Sequence, residues 1–282
     1  SNTPQRDLAI HIMAKIDWRA AVLLQRFIVA IFFSACLFAG GVAQAAGGPL
    51  VAAAASLRFA LEEIVDRYAG VTGSSVRLVF GSSGALVQQI ENGAPFALFL
   101  SADSGYVERL VAGGYTEGTG TAYGQGALVL FTRLGLLSEP GEGLASLARA
   151  TSTGQIKRLV IANPEYAPYG RAARAALRHA GLWTQIQPLL VVGANAGQAA
   201  HFALEGAVDA ALLPLTLAKI PALTKAGNYV VLPAASHPGI SLHQQIVVLR
   251  GAGADAYDFF VYLQSAEVQA IFSRHGVRAI SG

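Results

Sequence analysis

The chain has one cysteine, Cys36, and one methionine, Met13. A lone cysteine excludes an intrachain disulfide and any multi-thiolate metal site. Charge is also scarce, at 13% of 282 residues. There is no basic arm and no interleaving of basic with aromatic residues, which argues against nucleic-acid binding. Catalytic signatures are missing too. Gly-x-x-x-x-Gly-Lys-[Ser/Thr] does not occur, so there is no Walker-type nucleotide loop. Gly81-Ser82-Ser83-Gly84 falls one residue short of Gly-x-Ser-x-Gly. His179, His201, His237, His243 and His275 show no metal-ligand spacing and adjoin no partner motif. Glu62-Glu63 reads as a solvated pair on a helix face. What the chain has in abundance is apolar material, 53%, with 31 glycines. That is enough for the core of one large domain or two medium ones, and it excludes a disordered chain.

The first 45 residues read as a leader. Lys15, Arg19 and Arg26 precede the apolar run Phe27 to Ala39, and Ala43-Gln44-Ala45 follows. A charged region, a short apolar region and an Ala-x-Ala site describe a secretory signal peptide, with cleavage expected after Ala45. The protein is then expected in the periplasm. A single membrane anchor is the alternative, although the run is short for a span. Phe33-Ser34-Ala35-Cys36 resembles a lipobox with Phe at its first position, so lipid attachment at Cys36 is a further option. Met13 stands just ahead of the charged region, and residues 1–12 read as a tag or an over-extended start. The leader takes four of the 20 basic residues (Arg6, Lys15, Arg19, Arg26) and two of the 17 acidic ones (Asp7, Asp17). The 16 basic and 15 acidic residues that remain give a net charge of +1. Bulk charge therefore does not choose the partner. The remaining chain has no cysteine, so a cysteine nucleophile is excluded as well.

Beyond the leader, short apolar runs alternate with helical periodicity. Pro49 to Ala55 reads as a strand; then Leu57, Ala60, Leu61, Ile64, Val65 and Tyr68 recur at three and four, with Gly70 as the stop. Strands at 75–80 and 96–100 are each followed by a helix, as are those at 159–162 and 189–192. Further strands are expected at 127–131, 210–213 and 246–249, with an amphipathic helix closing the chain. This order predicts an α/β fold with parallel sheets and covering helices. Two such series divide the chain into two lobes: 47–125 plus 245–282, and 126–244. Ligands of open α/β sheets sit at the carboxyl ends of strands, so a cleft between the lobes is the expected site.

Four places share one design, a strand, a small turn, then a helix start. They are Ala55-Ser56, Ser82-Ser83, Pro168-Tyr169-Gly170 and Asn195-Ala196-Gly197. The clearest is Val79-Phe80-Gly81-Ser82-Ser83-Gly84-Ala85-Leu86. A helix N-terminus presents free N–H groups and partial positive charge, which suit an anion. Ser56 and Ser83 add hydroxyls, Tyr169 a phenol and an N–H, and Ala196 its N–H alone. Each has a plainer reading. Ser56 and Ser83 can be N-caps, and Tyr169 can be a core or surface aromatic.

These segments resemble the periplasmic molybdate-binding proteins of ABC importers. The resemblance is carried by Ala53-Ala54-Ala55-Ser56-Leu57, by Phe80 to Leu86, by Gln89 to Pro95 and by Phe99-Leu100-Ser101-Ala102-Asp103. It continues through Asn163 to Gly170 and Asn195-Ala196-Gly197-Gln198-Ala199. They come in family order over nearly all of residues 48–282. The resemblance implies two α/β lobes hinged around a tetrahedral dianion, molybdate or tungstate, held by neutral donors and handed to an ABC permease. It assigns ligand contacts to Ser56, Ser83, Tyr169 and Ala196. It implies a monomer without cofactor, bound metal ion or enzymatic activity. Three positions depart from the pattern: Ala196 where Val is common, Pro214 where some members place Tyr, and Ala97 where Asp is frequent.

Elementary chemistry agrees with that implication. A donor-only site suits a fully deprotonated oxyanion, whereas monohydrogen phosphate carries a proton that needs an acceptor. Each hydrogen bond to a charged group contributes roughly 1.5–3 kcal/mol, so six or seven suffice for tight capture after closure costs. Other readings are the same fold with sulfate, thiosulfate or a small organic anion, a secreted serine hydrolase using Ser83, and a ligand-free signalling or adhesion module. A histidine within reach of Ser83 would mark the hydrolase; the absence of an enclosed cleft would mark the module.

Overall fold

A computed structural model describes residues 47–136 and 142–279. The leader, the cleavage point after Ala45 and Cys36 lie outside the described residues. From Gly47 onward the chain forms one compact unit containing two five-stranded sheets.

The first sheet has the order β2-β1-β3-β10-β4, from β1 (Leu50–Ala54), β2 (Arg77–Gly81), β3 (Leu98–Ser101), β4 (Thr121–Gln125) and β10 (His243–Val248). β1 runs parallel to β2 and β3, with Leu50 opposite Arg77 and Val51 opposite Leu98. β10 is antiparallel to both neighbours. The second sheet has the order β7-β6-β8-β5-β9, from β5 (Leu128–Arg133), β6 (Leu159–Ala162), β7 (Leu190–Gly193), β8 (Ala210–Pro214) and β9 (Gly227–Val231). There β6, β7 and β8 are parallel, and β5 runs against β8 and β9.

Helices cover both sheets because the central strands are apolar on both faces. Val51 to Ala54, Leu98 to Leu100 and Leu159 to Ala162 are all buried. In the first lobe these helices are α1 (Arg58–Thr72), α2 (Ser83–Glu91), α3 (Ser104–Ala112), α10 (Ala254–Leu263) and α11 (Ala266–His275). In the second they are α4 (Leu144–Ser152), α5 (Pro168–His179), α6 (Trp183–Ile186), α7 (Ala196–Leu204), α8 (Leu215–Ala218) and α9 (Pro221–Ala226). α1 buries Ala60, Leu61, Ile64 and Tyr68, the face read from periodicity. It passes Gly70 and ends at Gly73, whose φ of 72° closes the last turn. A glycine in helical conformation weakens a helix without ending it; the left-handed conformation ends it.

The chain crosses between sheets twice. Gly126 and Ala127 link β4 to β5, and residues 232–242 link β9 back to β10. The crossings touch, since Gly126 N–H donates to the Leu242 carbonyl at 2.9 Å. β10 starts at His243, paired with Gln125, three residues ahead of the strand expected at 246–249. A β-bulge between Gln244 and Gln245 re-aims the side chains there. The architecture is thus two α/β lobes, each a helix-flanked sheet, joined by two adjacent crossings.

Candidate functional site

Three of the four starts lie just past the carboxyl end of a strand, and the fourth, that of α5, follows β6 after a five-residue loop. Ser56 sits in a short 3-10 turn, Ala55–Leu57, between β1 and α1. Ser83 is the first residue of α2, Tyr169 the second of α5 and Ala196 the first of α7. All four are buried: Ser83 at 0%, Ser56 and Tyr169 at 2%, Ala196 at 6% exposure. First-turn N–H groups have no partner inside their own helix, so each start presents donors.

Contacts across the cleft bring the starts together in pairs. Gly84 N–H donates to the Tyr166 carbonyl, just ahead of α5, at 2.9 Å. The start of α2 therefore meets the approach to Tyr169. On the other side, a Cβ added to Gly197 would stand 3.5 Å from the Ala55 Cβ. The start of α7 therefore meets the turn that carries Ser56. Thr216 on α8 adds a third contact, its hydroxyl donating to the Ser56 carbonyl at 2.6 Å.

The capping roles differ from the plainer reading of the sequence. Ser82, with φ −73° and ψ 143°, occupies the N-cap of α2, and its side chain makes no capping bond. Ser83 is inside the helix, and its Oγ accepts from Ala102 N–H at 3.2 Å. Ser56 Oγ is buried with no partner. At α7 the cap is Asn195, whose side chain accepts from Gln198 N–H at 3.0 Å, while Gln198 Oε1 accepts from Ala194 N–H at 2.6 Å. Ala196 thus follows an N-cap held rigid from both directions.

Tyr169 carries its hydroxyl to Gly126 and Gln244. Its hydroxyl lies beside the first crossing and accepts from Gln244 Nε2, on β10, at 3.2 Å. Burial pushes the phenol well above its usual pKa, and the Gln244 bond only partly opposes this, so the phenol is neutral. Gly126 makes room for the pair; a Cβ there would lie 2.1 Å from Tyr169 Oη and 2.8 Å from Gln244 Nε2. Gln244, fully buried, was not singled out from the sequence. Its one signal was a glutamine pair opening an otherwise apolar strand. Of the three departures, Ala97 is half-buried at the head of β3, where its N–H donates to the Leu50 carbonyl at 2.8 Å. Pro214 is buried at the end of β8, opposite Leu128.

No histidine among the described residues hydrogen-bonds Ser83. His275 pairs with Glu63 at 2.9 Å, and His237 Nδ1 lies 3.3 Å from the Ile240 carbonyl. Among the described residues no group of His, Cys, Asp or Glu is placed to hold a metal ion. Two helix-flanked sheets joined by adjacent crossings, with helix starts of each lobe meeting those of the other, are the architecture of a two-lobed binding protein.

Residues 49–278 match the bacterial extracellular solute-binding protein family, and the chain belongs to it. Among curated relatives, the molybdate-binding protein ModA of Azotobacter vinelandii is 36% identical over 168 residues, 59% of this chain and 64% of that protein. ModA of Rhodobacter capsulatus is 34% identical over 168 residues, 57% of this chain and 62% of that protein. The matched segment thus spans somewhat less than two thirds of either relative. Among solved structures, the periplasmic molybdate-binding protein of Azotobacter vinelandii superposes with a TM-score of 0.75 at 28% identity, covering 83% of this chain and 100% of that one.

Proposed function

We propose that this protein captures molybdate or tungstate as the free dianion and delivers it to an ABC permease. The carrying observation is the burial of the Ser83 hydroxyl with a single donor on its oxygen. Its oxygen already accepts from Ala102 N–H, and the side chain is fully buried. A hydroxyl proton that stays free in such a place is available for donation to a ligand. Ser56 Oγ, buried and unpartnered, is the second such group. With the N–H groups of Ser83, Tyr169 and Ala196 they make a cradle of neutral donors. The Tyr169 contribution is read as its N–H at the start of α5, since the phenol sits on Gln244 beside Gly126. Helix starts supply partial positive charge without a fixed cation, which offsets a buried dianion.

On this reading the protein works outside the cytoplasm after cleavage following Ala45. It acts as a monomer, carries no cofactor and performs no chemistry on its ligand. Calorimetry of the chain from Ala46 onward against molybdate, tungstate, sulfate and phosphate tests it. The expected result is tight binding of molybdate and tungstate, weaker binding of sulfate and no binding of phosphate. Heat from sulfate or phosphate with none from molybdate or tungstate overturns the proposal. Ser83→Ala is expected to weaken binding about tenfold or more, since it removes a donor to a buried charge.

A further inference from the structure

Arg171 lies two residues beyond Tyr169, on the first turn of α5. Its guanidinium reaches across the cleft to the Asp103 carboxylate. Asp103 is the N-cap of α3, where its other oxygen accepts from Gly105 N–H at 2.7 Å. The guanidinium also lies over the Tyr106 ring, 4.9 Å from its centre. Tyr106 donates its hydroxyl proton to the Tyr166 carbonyl at 3.3 Å, the same carbonyl that takes Gly84 N–H. One cluster therefore ties the approach to α5 to the starts of α2 and α3.

We propose that Arg171 is a positioning residue. Through Asp103 and Tyr106 it holds the Tyr169 end of the cradle against the Ser83 end, and so sets how slowly a bound oxyanion escapes. This rests on the reading of Ser83 and Tyr169 as ligand contacts.

Arg171 is suited to this for three reasons. Hydrogen bonds weaken steeply outside a narrow range of distance and angle, so donors from two lobes hold one ligand only if the lobes close in register. A planar guanidinium fixes direction as well as distance. The pair is also sheltered, with the Arg171 side chain 32% exposed and that of Asp103 11%, and a sheltered pair is screened less than a surface one. Arg58–Glu62, Arg109–Glu91 and Arg174–Glu165 each stay within one lobe; Arg171–Asp103 joins the two. A contact made only when the lobes meet favours the closed form. Its loss is expressed in dissociation rather than encounter.

The test uses Arg171→Met, which keeps the packed stem, and Asp103→Asn, which keeps an acceptor for Gly105 N–H. Stopped-flow binding of molybdate and tungstate gives both rates. Each single variant is expected to raise the dissociation rate about tenfold, with association changed by less than about threefold. The double variant is expected to be no worse than the worse single one, and Arg171→Lys to recover part of the loss. The ligand-free melting temperature of Arg171→Met should match the parent, which separates positioning from folding. Dissociation unchanged in Arg171→Met, or losses that add in the double variant, overturn the proposal. If the parent binds neither ion, the ligand assignment fails, and the latch is read without ligand. Fluorophores on two engineered cysteines, one per lobe, then report the interlobe distance. A shift toward longer distances in Arg171→Met supports the latch, and an unchanged distribution overturns it.

Discussion

Thr216 Oγ1 donates to the Ser56 carbonyl at 2.6 Å, so a second-lobe side chain grips the backbone of the turn that carries a first-lobe donor. Both residues are buried, at 3% and 2% exposure. Thr216→Val keeps the branched shape and removes the donor. The carbonyl then loses its partner only when the lobes meet. Leaving a buried acceptor unpaired costs about 1–3 kcal/mol. Affinity for the oxyanion is expected to fall roughly tenfold by calorimetry, with the melting temperature of the ligand-free protein changed far less. Equal losses in both measurements would make Thr216 a folding residue.

Gly84 offers a sharper separation of closure from folding. A Cβ there would stand 2.8 Å from the Tyr166 carbonyl across the cleft and 2.7 Å from Tyr106 Oη. Alanine is the better helix former by about 1 kcal/mol. Gly84→Ala is therefore expected to leave the ligand-free melting temperature unchanged or slightly raised, while wedging the lobes apart. Oxyanion affinity should drop about tenfold or more, because the cradle no longer closes in register. Calorimetry together with thermal unfolding checks both halves.

Much of this architecture was legible because short continuous apolar runs give way to a period of three and four after β1, β2, β3, β6 and β7. The same switch marked Ser56, Ser83 and Ala196 at those ends, and Tyr169 at the helix start that follows β6. Elements that lack a strong apolar run escaped notice. β9 carries only Tyr229, Val230 and Val231 against an exposed Asn228, and α4 follows a Gly-rich stretch whose residues look like loop. Two adjacent serines hid which was the cap, since either side chain has the chemistry for it. Long-range pairs left no local trace. Arg171 and Asp103 are 68 residues apart, and Gln244 reaches Tyr169 across 75.

Acid stability should reflect Glu63. Its carboxylate lies 2.9 Å from His275 Nε2 and pairs with Arg274, joining α1 to α11. The hydrogen bond to His275 holds the carboxyl below the usual glutamate range; burial opposes this, and the charge of Arg274 adds to it. A group whose folded pKa lies below its unfolded value contributes stability that is complete above the unfolded pKa. That stability is lost as pH falls through the folded pKa. The window therefore opens at the ordinary value of 4.5 and extends below it. Glu63→Gln is expected to lower the melting temperature at pH 7 and to flatten its decline below about pH 4.5. The side chain is 32% exposed, so the effect is modest. Melting curves at closely spaced pH values decide it; parallel declines in both proteins would remove Glu63 from the acid response.

Tyr169→Phe separates the two ends of that residue. The substitution keeps the backbone N–H at the start of α5 and deletes the hydroxyl that meets Gln244. Gln244 Oε1 is already buried without a partner, so losing the phenol strands the whole amide. A buried amide left unpaired costs about 1–3 kcal/mol. Denaturant unfolding is therefore expected to show a loss of that size. If the N–H is the ligand contact, oxyanion affinity changes by less than about threefold, since no donor to the anion has gone. A large fall in affinity with intact stability would instead place the phenol on the ligand and move Gln244 into the cradle as its support.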